Sequence, residues 1–473
     1  MEQARADKDQ AYRSGRADRR LAIIVLIALL LRVGFFLAVQ PWDPEIERDV
    51  ILQMDADGYH NRAVEIVETG GFSEFGTYRT PLYPLFLAGV YSLAGAKPYV
   101  ALAVQLVIGA ATVLLVHAWA KRSVGAGAAL VAAAVFALQP LQIQATSTLL
   151  TETLFILGLL ASVLVLMMGL EQRRVLFMMF SGLLLGLTTL VRPATQYFPV
   201  VAVAIILLYR CHTIRFRSRA SVVLVLAFLV ALAPWLYRNY STYGALSLTT
   251  FQGKSLVFFG MTQVEMARTG KSMEEVRDEF REISRGRGLT EDGNPFENER
   301  IYREIVVERI MADVPFYVKM HALSVVKMFG NLSTSAIGTQ LRLPAGERPL
   351  DYYSATSLGG LVRHFLSTKS PQELVAGAII LAVLALTYLS AAVGIAWSLR
   401  GDRRFYLLVL LLILLYFSAA VGPMGQARYR LPIAAFYIAW SGRGFVEMYR
   451  FFRNRLRGRG RECGSTSQET EYA

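Results

Sequence analysis

Apolar residues run along this chain in long unbroken blocks separated by short polar gaps, a pattern unlike the alternation of half-buried strands or the single apolar stripe of soluble helices. Six blocks, Leu21–Leu37, Tyr99–Ala120, Leu149–Leu170, Ser221–Leu236, Leu374–Leu399 and Phe405–Val421, approach or exceed the ~20 residues that cross a bilayer as a helix. Shorter blocks at Val124–Leu138, Val175–Val191, Tyr197–Tyr209 and Leu431–Met448 bring the total to about ten. The pattern predicts an all-α polytopic membrane protein.

Two stretches break this rhythm. Residues 41–98 contain amphipathic pieces, "YHNRAVEIVETGGF" and "TPLYPLFLAGVYSLAG", suited to lying in the membrane interface. Residues 244–373 are longer and nearly charge-balanced, and predict a small helical insert. In it Ser272 and Glu275 form a capping box ahead of Met273, Val276, Phe280 and Ile283 at helical spacing; Asn294, Pro295 and Glu297 repeat that grammar. Phe316–Phe329 is apolar but broken by Lys319, His321 and Lys327, and is expected along the interface. The domains expected are therefore a transmembrane module over 1–243, the insert over 244–373, carboxy-terminal transmembrane helices over 374–449 and a basic tail over 450–473.

Composition agrees. Of 473 residues 54% are hydrophobic and 18% charged, with a mean hydropathy of +0.40, too apolar for a soluble domain. The net charge of +13 reports topology and not nucleic acid. Basic residues cluster before the first block (Arg5, Lys8, Arg13, Arg16, Arg19, Arg20) and then in alternate gaps, at Lys121/Arg122, Arg173/Arg174, Arg210–Arg219, Arg400–Arg404 and Arg450–Arg461. Positive residues stay on the cytoplasmic side, so both termini are expected there, in a bacterial inner or plasma membrane. No small-residue cleavage pattern follows the first block, which is read as a retained helix. Cys211 and Cys463 both fall on the cytoplasmic side, where no disulfide is expected.

Parity puts the remaining gaps on the extracytoplasmic face, and they hold the unusual residues. Asp55 and Asp57 in the first of them are solvated turn residues, proton acceptors or hard-oxygen ligands for a divalent cation. Glu152 stands at the outer edge of a membrane helix, where a carboxylate is costly and commonly functional. Arg79, Arg192, Arg238, Arg428 and Arg430 run against the charge bias of that face. Either they pair with the carboxylates, or their guanidinium forks clamp the phosphate of an anionic ligand. His60, His321 and His364 lack metal-ligand spacing, and no metal site is assigned. Gly182 and Gly186 make a small-xxx-small pattern that predicts close helix packing. No metalloprotease, P-loop, dinucleotide or nucleophile-elbow motif is present, so a lipid-carried substrate fits better than a cytoplasmic nucleotide.

Several motifs together resemble a known family: Asp55 with Tyr59 four residues on, "RTPLYPLFLA", "LLTETLF" around Glu152, "VRP" at Arg192, "PWLYRN" at Arg238 and "RYRLP" near the end. Their order and common side are similar to the GT-C superfamily of polytopic membrane glycosyltransferases, in the branch of protein O-mannosyltransferases and aminoarabinose transferases. That resemblance implies transfer of a sugar, with inversion, from a polyprenyl-phosphate donor to a glycan, lipid or protein acceptor. It implies Asp55 as general base, with Tyr59 and His60 beside it, and Glu152 orienting an acceptor hydroxyl, an arginine or a water. Arg79, Arg192, Arg238, Arg428 and Arg430 are the implied donor-phosphate ligands. Asp57 departs from the family pattern, which leaves open whether Asp55 or Asp57 is the base. Rival readings are a ligase or polymerase using a diphosphate-linked oligosaccharide, and a transporter. A transporter, however, would favour sites near the bilayer midplane.

Overall fold

The computed structural model describes residues 2–72, 76–344, 358–401 and 403–465. Residues 345–357 of the expected insert and 466–473 of the expected tail lie outside the described residues. Every regular element among the described residues is a helix. The principal ones are α1 (Glu2–Val39), α2 (Asp55–Thr69), α3 (Leu82–Ala94), α4 (Pro98–Ser123), α5 (Ala126–Ala137), α6 (Glu152–Gln172), α7 (Val175–Val191) and α8 (Phe198–Leu208). They continue with α9 (Ile214–Tyr243), α10 (Phe251–Ser255), α11 (Met273–Gly286), α12 (Pro295–Ala312), α13 (Val314–Gly330), α14 (Pro371–Ser398), α15 (Arg404–Ala420) and α16 (Leu431–Ser465).

Among the described residues five helices are long and apolar enough to cross a membrane: Asp18–Val39 of α1, then α4, α6, α9 and α14. The prediction of about ten is not reproduced on that measure. Five further apolar helices, Leu82–Ala94, Ala126–Ala137, Val175–Val191, Pro193–Leu208 and Arg404–Ala420, are shorter. At ~1.5 Å per residue the 12 residues of α5 span roughly 18 Å, well short of a hydrocarbon core of about 30 Å.

The bundle is held by close helix contacts. A Cβ at Gly182 would lie 2.2 Å from the Leu224 carbonyl oxygen, and one at Gly186 2.5 Å from Ala231 Cβ, so α7 and α9 touch along the predicted small-residue seam. A second seam joins α14 to α16, where a Cβ at Gly394 would meet the Trp440 carbonyl oxygen at 2.0 Å. Ile433 to Trp440 of α16 are buried throughout, which explains why this stretch is apolar on every face.

The ends of the helices differ chemically. At one end Arg403 Nη1 donates to the Arg122 carbonyl at 2.7 Å, Arg122 pairs with Glu171 at 3.5 Å, and the Tyr406 hydroxyl donates to Glu171. Glu152 opens the opposite end of α6, roughly 28 Å away at ~1.5 Å per residue, close to one hydrocarbon thickness.

The stretch after α9 has a buried cluster of its own, with Val257, Met261, Val276, Phe280, Ile305 and Met320. Its helices start as the sequence predicts. Ser272 and Glu275 close a capping box, and Asn294 caps α12 with Pro295 in the first turn. The Asn294 side chain accepts from the Phe296 N–H, in place of the box expected with Glu297.

Candidate functional site

Asp55 is the first residue of α2, and Tyr59, one turn later, lies on the same helix face. Met54 before it has φ 51 and is 93% exposed, a strained position for a side chain with a Cβ. Asp55 Oδ1 accepts from Arg79 Nη2 at 3.1 Å, and Oδ2 accepts from Arg428 Nη1 at 3.1 Å. Arg79 lies over the Tyr59 ring, 4.1 Å from its centre, in the cation–π arrangement. Gly58 makes room for it, since a Cβ there would come within 3.2 Å of Arg79 Nη2.

A second pair faces the first. Glu152 opens α6 and Arg192 ends α7; Arg192 Nη1 donates to Glu152 Oε1 at 2.8 Å. Glu152 is 3% exposed, and its Oε2 is buried without a hydrogen-bond partner, as is Arg428 Nε. Unmet capacity of this kind is costly, and here it falls on two residues of opposite charge, one an acceptor and one a donor.

Both pairs line one cavity of about 500 Å³. Its charged lining among the described residues is Asp55, Glu152, Arg79, Arg192 and Arg428, with Tyr59 alongside. The remaining wall is largely apolar, with Leu256, Tyr416, Phe417, Ala419, Ala420 and Val421. Burial pushes the Asp55 carboxyl up, but the Arg428 and Arg79 charges and hydrogen bonds outweigh it and hold the group below its usual range.

Four expected site residues stand elsewhere. Asp57 is exposed and accepts from Asn61 Nδ2 at 3.0 Å. His60 Nδ1 is 3.0 Å from the Tyr91 hydroxyl. Arg238 donates to Asn239 Oδ1 at 3.0 Å and lies over Trp235. Arg430 is 2% exposed, and its Nη1 donates to the carbonyls of Met328, Phe329 and Asn331, tying α13 to the start of α16. None of the four lines the cavity. A divalent cation held between Asp55 and Asp57 does not fit this geometry. Both Asp55 oxygens face guanidinium groups, Asp57 turns to Asn61, and no group of three potential ligands forms among the described residues.

One wall escapes the sequence reading. Thr249 to Leu256 cross from the insert onto the first loop: Thr249 Oγ1 donates to the Tyr78 carbonyl at 2.6 Å, and the Thr250 N–H to the Thr77 carbonyl at 3.0 Å. Gln196 Nε2 donates to Gln252 Oε1 at 3.0 Å, joining bundle to insert across the cavity. Buried Glu299 of α12 accepts the Gly253 N–H at 2.6 Å and pins α10 in place. Thr249, Thr250, Gln196 and Gln252 carry no charge or spacing signal; only the fold brings them together.

Comparison with known proteins bears on this arrangement. Residues 78–237 match the family model described as dolichyl-phosphate-mannose-protein mannosyltransferase. No curated protein matches the chain. Among solved structures, the apo oligosaccharyltransferase of Archaeoglobus fulgidus aligns with a TM-score of 0.54 and 15% identity over 93% of this chain and 52% of that one. The A. fulgidus oligosaccharyltransferase AglB in complex with an inhibitory peptide and a dolichol-phosphate aligns at 0.52 and 14%, over 94% and 52%. ArnT from Cupriavidus metallidurans bound to undecaprenyl phosphate aligns at 0.42 and 15%, over 90% and 77%. The chain thus spans about half the length of the oligosaccharyltransferases it matches. At such identities the likeness to AglB establishes the fold, and the resemblance to GT-C membrane glycosyltransferases read from the motifs holds.

Proposed function

We propose that this chain is a GT-C-type membrane glycosyltransferase that moves a sugar from a polyprenyl-monophosphate donor to an acceptor hydroxyl at the extracytoplasmic face, with inversion. The observation that carries the reading is the single cavity joining Asp55, Glu152, Arg79, Arg192 and Arg428 to an apolar wall. The wall takes the isoprenoid chain, and the arginines take the phosphate bidentately. Asp55 accepts the acceptor proton as the acceptor oxygen bonds to the anomeric carbon and the bond from that carbon to the phosphate oxygen breaks. Charge builds on the leaving phosphate, where preorganised guanidinium groups stabilise it most. Arg238 and Arg430 leave the phosphate-binding set, because each is engaged away from the cavity.

Charge supports a monophosphate. Three guanidinium groups and two carboxylates leave the cavity one positive charge in excess, which a phosphodiester donor balances. After transfer, Asp55 is neutral and the departing phosphate monoester carries the second negative charge, so the balance persists. A diphosphate-linked donor adds one more negative charge than the lining offsets. The extracytoplasmic placement draws on the gathering of Arg122, Arg403 and Glu171 at the far end of the helices from Glu152.

A transfer assay on the full chain in proteoliposomes, with an envelope extract as acceptor source, tests the reading. Polyprenyl-monophosphate hexose should be consumed and polyprenyl-diphosphate hexose should not. Consumption of the diphosphate donor alone would favour the ligase reading, and consumption of neither would remove the transferase reading.

A further inference from the structure

Asp55 and the donor phosphate are asked to use the same two arginines. Both Asp55 oxygens are taken, one by Arg79 Nη2 and one by Arg428 Nη1, each at 3.1 Å. A carboxylate holding two guanidinium groups is a poor base, because every such bond stabilises the ionised form it must give up. Arg79 has less freedom than the carboxylate. Arg79 is stacked on Tyr59 at 4.1 Å and fitted over Gly58, whereas Asp55 sits at the strained start of α2 behind an exposed Met54.

We propose that Asp55 is the resident counter-ion of the arginine clamp, and that the donor phosphate displaces it, so that the base is released only in the donor complex. This rests on the transferase reading above. The donor phosphodiester brings two charged non-bridging oxygens, as many as the carboxylate, and two weakly accepting ester oxygens besides, while buried Arg428 Nε still lacks a partner. Glu152 plays no such part, because its Arg192 bond leaves Oε2 open. The consequence is an order of binding: donor first, acceptor second. An acceptor that arrives early meets no competent base.

The test measures binding of undecaprenyl monophosphate, which lacks the sugar, to the full chain in nanodiscs. Asp55→Asn removes the competitor and should bind this lipid more tightly than wild type by about tenfold or more, the scale of losing one competing charge-assisted hydrogen bond. Asp57→Asn, exposed and outside the cavity, should bind as wild type does. Asp55→Ser must show the same tightening, which covers the case in which the asparagine variant does not fold. Equal or weaker binding in a folded, uncharged Asp55 variant overturns the displacement while leaving the transferase reading intact. Absence of binding to wild type and to every variant overturns that reading, and the displacement with it.

Discussion

At the scale of single residues, the two aspartates that the sequence leaves undecided part company in the fold. Asp55 faces Arg79 and Arg428 inside the cavity, while Asp57, two residues later on the same helix, is turned outward to Asn61. Asp55→Asn should keep the fold and cost roughly two to four orders of magnitude in turnover, and Asp57→Asn should cost little. Transfer rates of the two purified variants check this, with thermal melts to show that both are folded. A parallel split is expected among the arginines. Arg428→Lys keeps charge but loses the fork, so donor affinity should fall, whereas Arg238→Lys should leave it unchanged in the same titration. The pH dependence has a definite sign. Arg79, Arg428, Tyr59 and Tyr78 face Asp55, and its folded-state value lies below the unfolded one. The stability this contributes is present above the unfolded value and lost as pH falls through the folded one. The melting-temperature gap between wild type and Asp55→Asn should therefore be flat from neutral pH down to about pH 5 and shrink below about pH 4.

Elements explain why some of the site was legible and some was not. Arginines in the gaps that alternate with the strongly basic ones, and a glutamate at a helix edge, are anomalies of composition, so Arg79, Arg192, Arg428 and Glu152 could be read from the chain. Arg430 carries the same anomaly, yet its charge is used to cap the end of α13, a role that depends on where a distant helix stops. Gln196, Gln252 and Thr249 are ordinary polar residues until the insert folds back over Tyr78. The small-residue seam of α7 was legible because period-four glycines have a packing meaning, but its counterpart at Gly394 and Gly444 lies on two helices far apart in sequence. Substituting valine at Gly182 or Gly394 should destabilise the bundle by ~2 kcal/mol or more, because the added atoms meet backbone on the facing helix. Melting in detergent checks this, with Gly127→Ala, which meets open space, as the control.

For the whole molecule, transfer from a lipid donor at the outer face puts the cavity and the basic helix ends on opposite sides of a membrane. Met54 and Gln172 mark the two sides: Met54 is 93% exposed beside Asp55, and Gln172 ends α6 next to Arg173. In a chain with Cys211 and Cys463 replaced by serine, a membrane-impermeant thiol reagent added outside should label Met54→Cys and spare Gln172→Cys. Labelling of the second alone would invert the topology. Use of a lipid monophosphate donor by this one cavity would release polyprenyl phosphate from polyprenyl-monophosphate hexose. With proteoliposomes and an envelope extract, wild type should release the lipid phosphate, and Asp55→Asn should do so roughly a hundred- to ten-thousand-fold more slowly while still binding the donor. Release at the wild-type rate from a folded, donor-bound Asp55→Asn would contradict the account.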